Sequence, residues 1–119
     1  MNDYAFPRAW FDAVDACTKY DPAHVAHIMR HWFAVLSVGP VRVPHVEVVN
    51  GSGGVRFTWN RDGHYIDFEV LRDGRVEWFY KAPHNTHHRG THDEPTAVLP
   101  PEFFEYVRKH ATPTTKDVT

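Results

Sequence analysis

Residues 55–81 read Val55-Arg56-Phe57-Thr58-Trp59-Asn60-Arg61-Asp62-Gly63-His64-Tyr65-Ile66-Asp67-Phe68-Glu69-Val70-Leu71-Arg72-Asp73-Gly74-Arg75-Val76-Glu77-Trp78-Phe79-Tyr80-Lys81. Val55, Phe57 and Trp59 alternate with Arg56, Thr58 and Asn60. Ile66, Phe68 and Val70 alternate with Tyr65, Asp67 and Glu69, and Val76, Trp78 and Tyr80 with Glu77, Phe79 and Lys81. Period two places successive side chains on opposite faces of a strand, so the stretch predicts three strands with one apolar face. Asp62-Gly63 suits a two-residue hairpin, because both positions tolerate positive φ. That loop pairs Arg61 with His64 and sets Trp59 opposite Ile66, Phe57 opposite Phe68 and Val55 opposite Val70.

The second turn requires a different loop. A two-residue connection at Asp73-Gly74 would set Glu77 opposite Val70, since a one-residue slip sends every side chain to the other face. A three-residue loop, Arg72-Asp73-Gly74, with Gly74 left-handed in a bulge, sets Val70 opposite Val76, Phe68 opposite Trp78 and Ile66 opposite Tyr80. Upstream, Val46 and Val48 alternate in the same way. They predict a first strand paired with 55–59 across Gly51-Ser52-Gly53-Gly54, at an edge that tolerates Pro44.

Helical spacing brackets these strands. Trp10, Ala13, Val14 and Cys17 form a stripe in a helix near Arg8 to Tyr20 that Pro7 can open. Asp21-Pro22 starts a second helix, with Asp as cap and Pro where its missing N–H is harmless. Its apolar face holds Val25, Ile28, Met29, Trp32, Val35 and Leu36, and Gly39-Pro40 ends it. A last helix opens at Pro100-Pro101 with Phe103, Phe104, Tyr106 and Val107. Residues 82–98, punctuated by Pro83, Asn85, Gly90 and Pro95, read as a loop. The expected fold is α+β: two N-terminal helices, a four-stranded antiparallel meander and one C-terminal helix, with the helices on one face. One domain is expected over residues 1–111, with 112–119 a frayed tail.

The 119 residues carry 42% hydrophobic and 24% charged side chains, a globular balance, and a net charge of −2 without a basic stripe. Nucleic-acid binding by a charged surface is therefore not expected. No apolar run approaches the roughly 20 residues of a membrane span, and the first residues lack a secretory pattern. Cys17 is the lone cysteine, so an internal disulfide is impossible and a reducing cytoplasm is the expected compartment. In the apolar stripe it reads as a structural thiol.

The run Gly53-Gly54-Val55-Arg56-Phe57-Thr58-Trp59, then Asp67-Phe68-Glu69-Val70, then Asp73-Gly74, resembles a widespread set of small uncharacterised prokaryotic proteins found in phage or mobile-element regions. Their pattern is Gly-Gly-x-x-Leu-Glu-Trp, Leu-x-Ile/Val-Glu, Asp-Gly. The resemblance spans roughly residues 25–82. Thr58 replaces the usual Glu, and an upstream Asp-Gly-Tyr segment is missing. It implies the sheet and a prokaryotic setting, and carries over no activity and no site residue.

Three constellations could carry chemistry. His84, His87, His88 and His92, with Asp93 and Glu94, have the donor types that zinc or another transition metal takes from imidazole. The alternative is a solvated polar loop whose histidines are incidental. His24, His27 and His31 fall in one stripe of the second helix, either joining those loop histidines or bordering the buried face with their tips in water. On the strand face turned away from the helices, Arg56 lies opposite Glu69 and Glu69 opposite Glu77. That row is either an acid–base pair of carboxylates or ordinary cross-strand charge pairing.

These features lead to a non-catalytic protein-binding or accessory module, in a phage, defence or toxin–antitoxin context. It would use the open-face residues Tyr65, Phe79, Arg56, Glu69 and Glu77, with no cofactor. The partner is another protein, with a homodimer left open. A His-rich metal-binding protein or metal-dependent hydrolase is the first alternative. A small-ligand pocket between helices and sheet is the second.

Overall fold

A computed structural model describes residues 8–84, 88–92 and 94–113. Among them the chain forms α1 (Arg8–Cys17), α2 (Pro22–Leu36), β1 (His45–Val48), β2 (Val55–Arg61), β3 (His64–Val70), β4 (Val76–Lys81), β5 (His88–Gly90) and α3 (Pro101–His110). The fold is α+β. Its sheet is antiparallel throughout, in the order β1-β2-β3-β4-β5. No helix among the described residues is long and apolar enough to cross a membrane.

The strand register follows from the turn residues. Arg61 pairs with His64 across Asp62 (φ 53°) and Gly63 (φ 82°), the doubly left-handed turn that Asp-Gly favours. Val70 pairs with Val76, and Gly74 takes φ 93° in the longer loop. Val46 pairs with Phe57 and Val48 with Val55.

The expectation of four strands is corrected to five. Within the stretch read as a loop, His88–Gly90 pairs with Phe79–Lys81. Farther on, Thr96 exchanges two backbone hydrogen bonds with Val76. Three polar or small residues, all exposed, leave no period-two signal, so backbone bonding alone makes the strand. Pro7, the expected opening of α1, lies outside the described residues. At its other end α1 stops at Cys17 rather than Tyr20, because Lys19 and Tyr20 turn left-handed at φ 56° and 61°. In α2, the Asp21 side chain accepts from Ala23 N–H at 3.0 Å, a cap worth about 1 kcal/mol.

The helices supply rings to one sheet face. Trp10 of α1 and Trp32 of α2 lie 5.3 Å apart. Trp32 stacks over Phe57, Trp59 and Phe68 at 6.2, 6.1 and 6.3 Å between ring centres. Phe103 of α3 meets Phe68 and Trp78 edge-on. The Trp59 indole N–H donates to the carbonyl of Arg42 at 2.7 Å, tying β2 to the buried segment before β1. Rings from α1, α2 and α3 thus cover Phe57, Phe68 and Trp78 on this face. Of the expected tail, Thr112 and Pro113 are half-buried, and Thr112 bonds back to Arg108. Residues 114–119 lie outside the described set.

Candidate functional site

The face of the sheet opposite the core is less open than its sequence suggests. This face was read as the open one, but Asp67 is 1% exposed and Glu69 5%. Each carboxylate is covered in part by a loop neighbour that sequence spacing does not reveal. Ser52 Oγ donates to Glu69 Oε2 at 2.7 Å, and Arg56 Nη2 lies 3.9 Å from Glu69 Oε1. Gly54 permits this cover, since a Cβ there would press into the Glu69 carboxylate, 3.0 Å from Cδ.

Asp67 is held from two sides. The Tyr65 hydroxyl donates to Oδ2 at 2.7 Å, and His92 Nε2 lies 3.1 Å from Oδ1. Burial pushes the Tyr65 phenol up to about 12, and the neighbouring carboxylate adds to that shift. His92 shifts upward as well, because its bond to Asp67 favours the imidazolium more than partial burial opposes it. Phe79 organises the rings: His92 stacks on it at 4.7 Å, Tyr65 meets it at a steep angle at 6.0 Å, and His88 lies 5.4 Å away.

The open-face set Tyr65, Phe79, Arg56, Glu69 and Glu77 is thus brought together, in the expected register of Arg56 opposite Glu69 and Glu69 opposite Glu77. Arg56 also lies 3.7 Å from Glu47 on β1. Charged side chains on or beside this face are Glu47, Asp67, Glu69, Glu77 and Glu94 against Arg56 and Lys81, an acidic excess. His92, read from the sequence as a candidate metal ligand, lies against Asp67. It is a partner of a buried carboxylate, and no sequence signal pairs it with Asp67, 25 residues away.

The two histidine sets do not meet. His24 and His31 are 1% and 3% exposed, so their tips are buried rather than wet. His24 Nε2 lies 3.0 Å from the carbonyl of Val70, and His31 Nε2 2.8 Å from that of Gly74. Arg30 donates to the Gly74 carbonyl at 3.0 Å. A Cβ on Gly74 would strike the His27 ring, so this glycine also makes room for the helix. The stripe clamps the β3–β4 turn, on the helix-covered side of the sheet. Burial pushes the His31 imidazole down, with Arg30 and His27 adding to the effect.

Of the loop histidines, His92 is taken by Asp67 and His88 faces Phe79. His84 follows β4 at φ 53°, beside Pro83, and His87 lies outside the described residues. Among the described residues no group of three His, Cys, Asp or Glu side chains could hold a metal ion. Cys17 is half-buried against the core, and burial raises its thiol above the ordinary range, the opposite of an activated nucleophile.

Comparison with known proteins matched no family model, no curated protein and no solved structure. The reading of function therefore rests on this face and its chemistry. The face offers rings flanked by carboxylates, which suits a cation: an aromatic face attracts it electrostatically and the carboxylates neutralise it.

Proposed function

We propose that the chain is a non-catalytic protein-binding accessory module that receives a basic segment of a partner protein on the uncovered sheet face. The observation that carries this reading is the grouping of Tyr65, Phe79, His88 and His92 within an acidic surround that includes Glu77 and Glu94. A partner lysine or arginine gains from both features, and an acidic partner is repelled. Arg56, Glu69 and Asp67 hold the face in shape beneath the contact. Tyr65, Phe79 and Glu77 meet the partner. The resemblance of the meander to small prokaryotic proteins of phage and mobile-element regions supports a cytoplasmic phage, defence or toxin–antitoxin setting.

The test is an NMR titration of labelled protein with two peptides of equal length, one rich in Lys and Arg and one rich in Glu. The basic peptide should shift Tyr65, Phe79, Glu77 and His92 selectively, and added salt should weaken it. Glu77→Lys combined with Glu94→Lys should weaken it by about tenfold or more. Equal response to both peptides, or shifts confined to the helices, would overturn the reading.

A further inference from the structure

The uncovered sheet face holds a cleft of about 450 Å³, lined by Phe79, His88, Gly90, Thr91, His92 and Glu94. His92 forms one wall and is held from two directions. Its Nε2 lies 3.1 Å from Asp67 Oδ1, and its ring stacks on Phe79 at 4.7 Å. The imidazole thus already uses the two features that attract a partner cation, a carboxylate and an aromatic face. Among the described residues, the titratable and charged groups around it come from four strands and the segment beyond them. They are Asp67 and Tyr65 of β3, Glu77 of β4, Arg56 of β2, His88 of β5, and Glu94. Asp67 and Glu77 favour the imidazolium, and Arg56 opposes it.

We propose, resting on the partner reading above, that His92 makes the contact proton-linked: its imidazolium and the partner's lysine or arginine compete for one acidic, ring-lined cleft. With His92 neutral, the acidic excess of the face is uncompensated and the basic segment binds. With His92 charged, the face carries its own cation and repels the incoming one. At roughly 8 Å, with screening between the surface and bulk-water limits, two like charges repel enough to change affinity by about fivefold. The Asp67 bond holds the imidazolium above its ordinary 6.5, so the competition extends above that pH. The basic segment therefore binds more tightly as the pH rises.

The experiment measures the affinity of a histidine-free Lys/Arg peptide for the full chain from about pH 5.5 to about pH 8.5. In parallel, NMR follows the His92 ring C–H signals with and without saturating peptide, with His92 assigned through His92→Gln. Affinity should rise by about fivefold across that range. Linkage is reciprocal, so the peptide should lower the His92 titration by the matching factor. His88, the other imidazole of the cleft, has its own signals, which separate its share. His92→Gln, whose amide can still donate to Asp67 without carrying a charge, should lose most of the rise. A rise that survives in His92→Gln would overturn the role of His92. Binding that leaves the His92 titration unmoved, or raises it, would overturn the proton linkage and leave the partner reading standing. Absence of binding at every pH would overturn both.

Discussion

His92 Nε2 lies 3.1 Å from Oδ1 of Asp67, a carboxylate almost wholly removed from solvent. The hydrogen bond fixes the imidazole on the sheet face, and Phe79 stacks beneath it. Because the bond raises the folded-state pKa of His92 above its ordinary 6.5, its contribution to stability is complete below that value. It fades as the pH climbs through the folded value. An NMR titration should find His92 titrating above 6.5, and Asp67→Asn should lower that value. An unmoved His92 titration in the variant would remove Asp67 as the cause.

The opposite sign holds on the other side of the sheet. His31 is held neutral by burial, and so is His110, which stacks on His64 at 3.7 Å. Both have folded values below 6.5. Their contribution is present above 6.5 and is lost as the pH falls below it, when the unfolded chain takes up protons first. Each of the two should therefore lower urea midpoints between about pH 7.5 and about pH 5.5, and His92 acts in the opposite direction. His31→Gln should flatten that fall, and His31→Leu should cost about 1 kcal/mol at neutral pH through the lost bond to Gly74.

Gly90 pairs with Phe79 where the strands approach closely. A Cβ there would press into the carbonyl oxygen of Trp78 and lie 2.9 Å from Phe79 Cα, both backbone atoms that cannot move aside. Gly90→Ala should detach β5 locally. Hydrogen exchange should speed up at Thr91 N–H, which donates to Trp78 O at 2.9 Å. The amides of β2 and β3 should keep their protection. Uniform loss of protection across the sheet would show that β5 is integral to the whole fold.

Phe68 is fully buried and touches rings from three elements: Phe57 at 4.8 Å, Trp32 at 6.3 Å and Phe103 at 5.7 Å. Phe68→Ala should cost about 3–5 kcal/mol in urea unfolding, because rings held from both the strand and helix sides cannot collapse into the gap. A loss near 1 kcal/mol would mean that the aromatic layer repacks.

Most of the sheet could be read from residue order. Asp62-Gly63 and the longer Arg72-Asp73-Gly74 connection each allow one register that keeps Phe57, Phe68 and Trp78 on a common face, and the chain adopts both. The site was less legible. Asp67 and Glu69 occupy polar positions of an alternating strand, and alternation says which face a residue takes without saying what covers that face. Their covers, His92 and Ser52, come from distant loops with no periodic signal.

By itself, the sequence determined the strand alternation, the turn types and the α2 cap, all of which are settled within a few residues of the backbone. Only the tertiary structure decided that His24 and His31 are buried donors to a turn, that His88–Gly90 becomes a fifth strand, and that His92 meets Asp67. The physical reason is the range of the interaction. Steric and turn preferences act between neighbours in the chain, whereas desolvation and hydrogen-bond completion depend on whatever else the fold brings within 3 Å or so.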